Sequence, residues 1–98
     1  MNKAIVNAIE NGNLLEFTYH EHYRLVEPHR YGMFKSGNQI LLAYQIKGTG
    51  EKSEIPGWKM FRVAEIKNLK ISNSGFTGTR PGYETGKTDM ELIYAELS

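Results

Sequence analysis

Leu15-Glu16-Phe17-Thr18-Tyr19-His20-Glu21-His22-Tyr23-Arg24-Leu25-Val26-Glu27-Pro28-His29-Arg30-Tyr31 decides how the chain folds. Leu15, Phe17 and Tyr19 are apolar, and the residues between them are polar. Successive side chains of a strand point to opposite faces, so this period of two predicts a half-buried strand. His20-Glu21-His22 interrupts it as a turn or loop. Tyr23 to Tyr31 then carries a second strand with Pro28 inside it. Proline has no N–H to give to a ladder, so this strand is expected to be an edge or to break near Pro28.

Working outward, Asn2 is a candidate N-cap, and Ile5, Ala8 and Ile9 fall at helical spacing before Asn11-Gly12-Asn13. This predicts a short helix over about residues 2–11, ended by its glycine. Downstream, Lys35-Ser36-Gly37-Asn38 marks a hairpin. Ile40 to Ile46 is the most apolar run, of a length that suits a strand covered on both faces. Lys47 to Lys52 reads as a polar loop. Trp58 to Val63 alternates again, Ala64-Glu65 is a tight turn, and Ile66 to Ile71 is a fifth strand. The fold class is mostly β. Five short strands after one helix suggest a small barrel, because an open sheet leaves long edges to cover.

Residues 1–72 make that body, and residues 73–98 a loop and C-terminal extension packed on the barrel or on a partner. Asn73 to Lys87 is rich in Gly, Thr and Ser, with Arg80-Pro81-Gly82-Tyr83 in the middle. Thr88 caps a final helix over 89–97, with Glu91 completing a capping box and Met90, Ile93 and Leu97 as its apolar stripe. The alternative is an added edge strand carrying Leu92, Tyr94 and Leu97.

The chain has 98 residues, 40% apolar and 23% charged, ordinary values for one globular domain. It has no cysteine, which excludes a disulfide framework, a thiolate metal site and a cysteine nucleophile. No segment reads as a signal peptide or a membrane span, so a cytoplasmic location is expected. The net charge of +1 is unevenly spread. From His22 to Ile71 there are nine Lys/Arg against four acids; from Glu84 to Ser98 there is one Lys against four acids. A basic body suits an anionic partner, although short solvated strands also carry Lys and Arg.

Phe17-Thr18-Tyr19, Arg24-Leu25-Val26-Glu27-Pro28, Gln39-Ile40-Leu41-Leu42-Ala43-Tyr44 and Lys59-Met60-Phe61-Arg62-Val63-Ala64-Glu65-Ile66 occur in that order. Together they resemble the WYL domain, from the N-terminal helix to about Ile71. The name-giving triplet stands here as Gln39-Ile40-Leu41, and the family's Asp and Arg after the Phe-Arg pair stand as Ala64 and Glu65. The resemblance implies an Sm-like, SH3-type five-stranded β-barrel with an N-terminal helix. It also implies a ligand-sensing regulatory module of bacterial transcription or phage defence, binding single-stranded nucleic acid or a nucleotide. WYL proteins commonly carry a winged-helix DNA-reading domain upstream, which these residues do not include.

Arg24 and Arg62 match the family's basic positions, and a guanidinium offers phosphate a planar bidentate fork. Lys59 adds charge without that geometry. Tyr19 and Tyr44 offer flat faces for base stacking, or else are core tyrosines. His20, His22 and His29 invite a metal reading, but no further ligands converge with them and a structural or solvated role is expected. Ser36, Ser53, Ser72 and Ser74 lie in turns without a nucleophile elbow. Gly48-Thr49-Gly50 lacks the Lys-Ser/Thr and helix of a phosphate cradle. Glu51 and Glu54 are loop residues at hydrophilic spacing. No catalytic set and no cofactor are expected, so the chain is not read as an enzyme.

Two functions follow. In one, a groove of Tyr19, Arg24, Tyr44, Lys59 and Arg62 binds a nucleic-acid strand or nucleotide and reports it to a partner protein or a second copy. In the other, the domain is a protein-interaction or assembly module, and its oligomer is lost on deleting residues 88–98.

Overall fold

A computed structural model describes residues 1–50 and 55–98. Its elements are α1 (Lys3–Asn11), β1 (Asn13–Tyr19), β2 (His22–Met33), β3 (Gln39–Gly48), β4 (Gly57–Arg62), a 3-10 turn (Val63–Glu65), β5 (Ile66–Gly75) and β6 (Leu92–Glu96). Glu51, Lys52, Ser53 and Glu54 lie outside the described residues, so the readings placed on them stay with the sequence.

α1 begins and ends as its sequence dictates. The Asn2 Oδ1 accepts from the Ile5 N–H at 3.1 Å, and Gly12 closes the helix at φ 68°. Ile5, Ala8 and Ile9 are buried on its core side. The Asn2 N–H donates to the Tyr31 hydroxyl at 2.8 Å, which ties the start of the helix to β2.

The strands form one antiparallel sheet in the order β4-β3-β2-β1-β5, with β6 added to β2. Leu15, Phe17 and Tyr19 on β1, Val26 and Tyr31 on β2, Leu41 and Ala43 on β3 and Phe61 on β4 are buried with the helix residues in one core. The sheet curls around them. The ring of Phe61 lies 4.9 Å from both Phe17 and Tyr19, edge to face, and the Arg62 N–H donates to the Tyr19 hydroxyl at 3.1 Å. β1 and β4 thus meet across the core although β2 and β3 separate them in the ladder. Yet β4 and β5 do not pair, so the sheet is six-stranded and open, not the closed five-stranded barrel expected. β6 adds to β2 beyond the end of its pairing with β1.

Pro28 does not make β2 an edge. β2 pairs with β3 along most of its length; on its other side it pairs with β1 up to Val26 and with β6 from Arg30. Pro28 falls in the gap between these two partners, where its missing N–H breaks no ladder. Its register partner is Ala43 and that of Arg30 is Leu42, so His29 is the extra residue of a bulge. The expected break near Pro28 is this bulge.

The C-terminal helix is a correction. Residues 92–96 form strand β6 antiparallel to β2. The Thr88 hydroxyl accepts from the Met90 N–H at 3.2 Å in a local turn, and the Glu91 N–H goes to the Met33 carbonyl at 2.9 Å. β2 offers an unpaired edge beyond Val26, and its backbone groups outweigh the helical spacing of Met90, Ile93 and Leu97. Among the described residues no helix is long and apolar enough to cross a membrane.

Candidate functional site

Directly opposed residues of an antiparallel pair share a face, and this places the five expected ligand residues on two faces. Phe17 opposes Arg24 and Ala43 opposes Lys59, so Arg24 and Lys59 share the inner face with Tyr19. Tyr44 opposes both Glu27 and Trp58 and lies outside. Trp58, Met60 and Arg62 follow one another along the outer side of β4. The five residues do not form one groove.

On the inner face Arg24 is 5% exposed. Its guanidinium lies 5.5 Å from the Tyr19 ring centroid and 5.7 Å from that of Phe61. It donates to the Tyr19 carbonyl at 3.0 Å and to the Gln45 Oε1 at 3.4 Å. Arg24 thus knits the β1–β2 hairpin to β3 from within. Tyr19 is a core residue that also stacks on the His20 ring at 4.2 Å. Lys59 is half-buried. Arg62 reaches solvent, 3.7 Å from the Glu65 carboxylate. The three histidines go to separate places: His20 to Glu65 at 2.5 Å, His22 to the Thr49 hydroxyl at 2.8 Å, and His29 into the outer face.

The outer face of β2, β3 and β4 carries the second cluster. The bulge aims His29 outward next to Arg30, so Glu27, His29 and Arg30 all face residues 76–87, which cross this face as a strap. His29 is fully buried, with its ring 4.7 Å from Trp58, 5.2 Å from Tyr83 and 5.8 Å from Phe76. Its Nδ1 faces the Glu27 carbonyl at 2.8 Å and must donate to it. Its Nε2 accepts from the Arg80 N–H at 3.2 Å. Both ring nitrogens are therefore used by the neutral imidazole. Burial pushes the His29 pKa below its ordinary value; the Arg80 and Arg30 charges push the same way, against Glu27.

Arg80 grips Glu27 with two bonds of 2.8 Å and lies 4.7 Å from the Tyr44 ring centroid. Arg30, 3% exposed, donates to Glu96 at 2.9 Å, to the Lys87 carbonyl at 3.1 Å and to the Glu84 carbonyl at 2.7 Å. Arg80-Pro81-Gly82-Tyr83 is a turn closed by the Tyr83 N–H on the Arg80 carbonyl at 3.3 Å, with Gly82 at φ 97°. Proline second and a positive-φ glycine third are what a type II turn requires. The turn rests on Trp58, whose indole N–H donates to the Pro81 carbonyl at 2.9 Å.

Between strap and sheet lies a pocket of about 250 Å³. Leu42, Trp58 and Arg30 form its floor, and Tyr83, Glu84 and Lys87 its wall. The Trp58 and Tyr83 rings are within 22° of parallel at 6.3 Å. The arrangement offers flat apolar faces, with the Arg62 guanidinium four residues along the strand. That is about 13 Å at a strand's rise per residue.

Sequence reasoning took Tyr44 and Arg62 for this neighbourhood and passed over Trp58, Tyr83, Arg80, Arg30 and Glu27. The available signals were Arg80-Pro81-Gly82-Tyr83 as a turn and Pro28 as a bulge. Comparison with protein-family models, curated proteins and solved structures gives no match, so what the site does rests on its geometry and chemistry.

Proposed function

We propose that the chain is a non-catalytic, WYL-like binding module that takes a nucleotide or single-stranded nucleic acid on its outer face. The observation that carries this is the row Trp58, Met60, Arg62 on β4, beside the aromatic pocket under the strap. A base stacks in the pocket, and its phosphates lie toward Arg62. Stacking on an aromatic side chain contributes roughly 1–3 kcal/mol per base in single-strand binders. The order β4-β3-β2-β1-β5, with β6 added to β2, would close into a barrel only if β4 paired with β5, and the WYL reading rests on the sequence motifs. The module is cytoplasmic, and it passes its signal to a partner protein or a second copy in transcription regulation or phage defence.

Trp58 is the sole tryptophan, so its fluorescence reports the site directly. Titration with short oligo-dT and oligo-U is expected to quench it, with affinity falling steeply between 50 and 200 mM salt. Arg62→Ala should weaken binding and flatten the salt slope by about one phosphate's worth. No quenching or binding at low salt would overturn the reading.

The assembly reading is favoured by one observation. Leu92 and Ile93 of β6 are 47% and 36% exposed. Deleting residues 88–98 does not test it cleanly, because Glu96 holds Arg30 and Leu97 packs against the core. Leu92→Lys with Ile93→Lys is the better test: a dimer that becomes monomeric supports assembly, and a monomer before and after rejects it.

A further inference from the structure

We propose that residues 76–87 are a proton-released strap: neutral His29 latches them onto β2, and protonation of His29 lets them go. The inference concerns regulation of the site above and rests on that reading for its consequence. The latch itself is a property of the free protein.

The strap is held by polar contacts more than by burial. Between Phe76 and Lys87 it has no helix or strand, and its side chains are half-buried or exposed. It is fixed by Glu27, His29 and Arg30, three residues of β2 brought to one face by the bulge, by the Trp58 indole on the Pro81 carbonyl, and by the Leu97 carbonyl and Glu96 carboxylate, which accept from Tyr83, Thr85 and Gly86. At the centre, the Arg80 N–H donates to His29 Nε2 at 3.2 Å. Protonation would put the ring's second N–H on Nε2, so donor would face donor, and the Nδ1 bond to the Glu27 carbonyl cannot compensate. It would also place an imidazolium out of reach of water, since the ring is fully buried.

Among the described residues, few charged and titratable groups face it. From β2 come the Glu27 carboxylate and the Arg30 guanidinium; from the strap come Arg80 and the Tyr83 hydroxyl. β4 contributes Trp58, which carries no charge. The one carboxylate is already bound by both forks of Arg80. In the open state water solvates the ring, so protons favour opening by mass action.

The pocket lies between strap and sheet, so opening removes its Tyr83, Glu84 and Lys87 wall. Nucleic-acid binding is then expected to weaken on acidification.

The test is amide hydrogen exchange on the full, ligand-free chain, expressed as protection factors at pH 7.5 and 5.5. With an ordinary histidine pKa near 6.5 in the open state, the open fraction should rise by up to about tenfold across this interval. Protection at Arg80, Tyr83, Gly86 and Lys87 should fall by up to that factor and lie well below that of β1–β3 at both pH values, because the strap opens without global unfolding. The His29 ring followed by NMR should take up its proton only as the strap opens. His29→Gln keeps an acceptor for the Arg80 N–H without a titrating ring and should abolish the fall. Arg80→Ala should lower strap protection at both pH values. Strap protection that is unchanged by pH, that equals the protection of the core, or that falls equally in His29→Gln overturns the inference. So does a His29 ring that takes up its proton while the strap stays protected. No oligonucleotide enters these measurements, so their failure and that of the binding reading are separable.

Discussion

Glu21 has φ 68° and His20 φ 50°, in a two-residue turn that joins Tyr19 to His22. Both signs match a type I′ hairpin turn, a conformation that Asn-Gly adopts readily and that Glu adopts at a cost. His20 is anchored to Glu65 and stacks on Tyr19, so Glu21 is the position free to improve. Glu21→Gly should raise stability by about 0.5–1 kcal/mol, read from the midpoint of urea unfolding. Because this turn lacks its usual residues, the sequence reads it as a turn or loop without fixing the β1–β2 register. A slip of one residue would turn Arg24 from the inner face to the outer. Arg24 reads as a ligand residue in sequence through its match to a basic position of the WYL pattern, which carries no register, and it is a core-facing brace in the structure. Tyr31 presents the converse case. Its buried hydroxyl accepts from the Asn2 N–H and donates to Gln39. Tyr31→Phe leaves both partners unpaired and should cost about 1–2 kcal/mol in the same assay.

At the scale of elements, alternation carries β1 and β4, an apolar run carries β3, and capping chemistry carries α1, because in each the local pattern agrees with the tertiary demand. β6 is different. Its apolar residues fit a helix as well as a strand, and the edge of β2 that selects the strand is created by residues more than sixty positions earlier. Gly32 is the hinge of that choice. A Cβ there would lie 2.2 Å from the Leu92 carbonyl oxygen and 2.7 Å from the Met90 sulfur. Carbonyl oxygen cannot yield as a flexible side chain does, so Gly32→Ala must push β6 away. The expected cost is about 1–3 kcal/mol, with protection lost at β6 amides and kept in β1. Equal loss in both strands would mean that β6 is part of one cooperative unit with the core.

For the whole molecule, the groups that titrate differently folded and unfolded define a plateau of stability. His29 is held below its ordinary 6.5 by burial, so the unfolded chain binds a proton that the folded one refuses. Its contribution is complete above pH 6.5 and is lost as pH falls toward the folded value. Burial works to raise Glu96, but hydrogen bonds from Arg30 and the Gly86 N–H outweigh it and hold the carboxyl below 4.5. Its contribution is complete above 4.5 and is lost below. Burial raises the Tyr31 and Tyr83 hydroxyls above 10.0, so their contribution is complete below pH 10 and is lost as pH rises through the folded values. Unfolding free energy is therefore expected to be flat from about pH 6.5 to 10 and to fall on both sides, each group adding at most about 1.4 kcal/mol per pH unit. Urea midpoints measured from pH 4 to 11 read this profile. His29→Gln should erase the decline between pH 6.5 and 4.5 while the Glu96 and tyrosine flanks persist. The acid flank separates latch from fold. If that decline survives in His29→Gln, protons destabilise the chain through other groups.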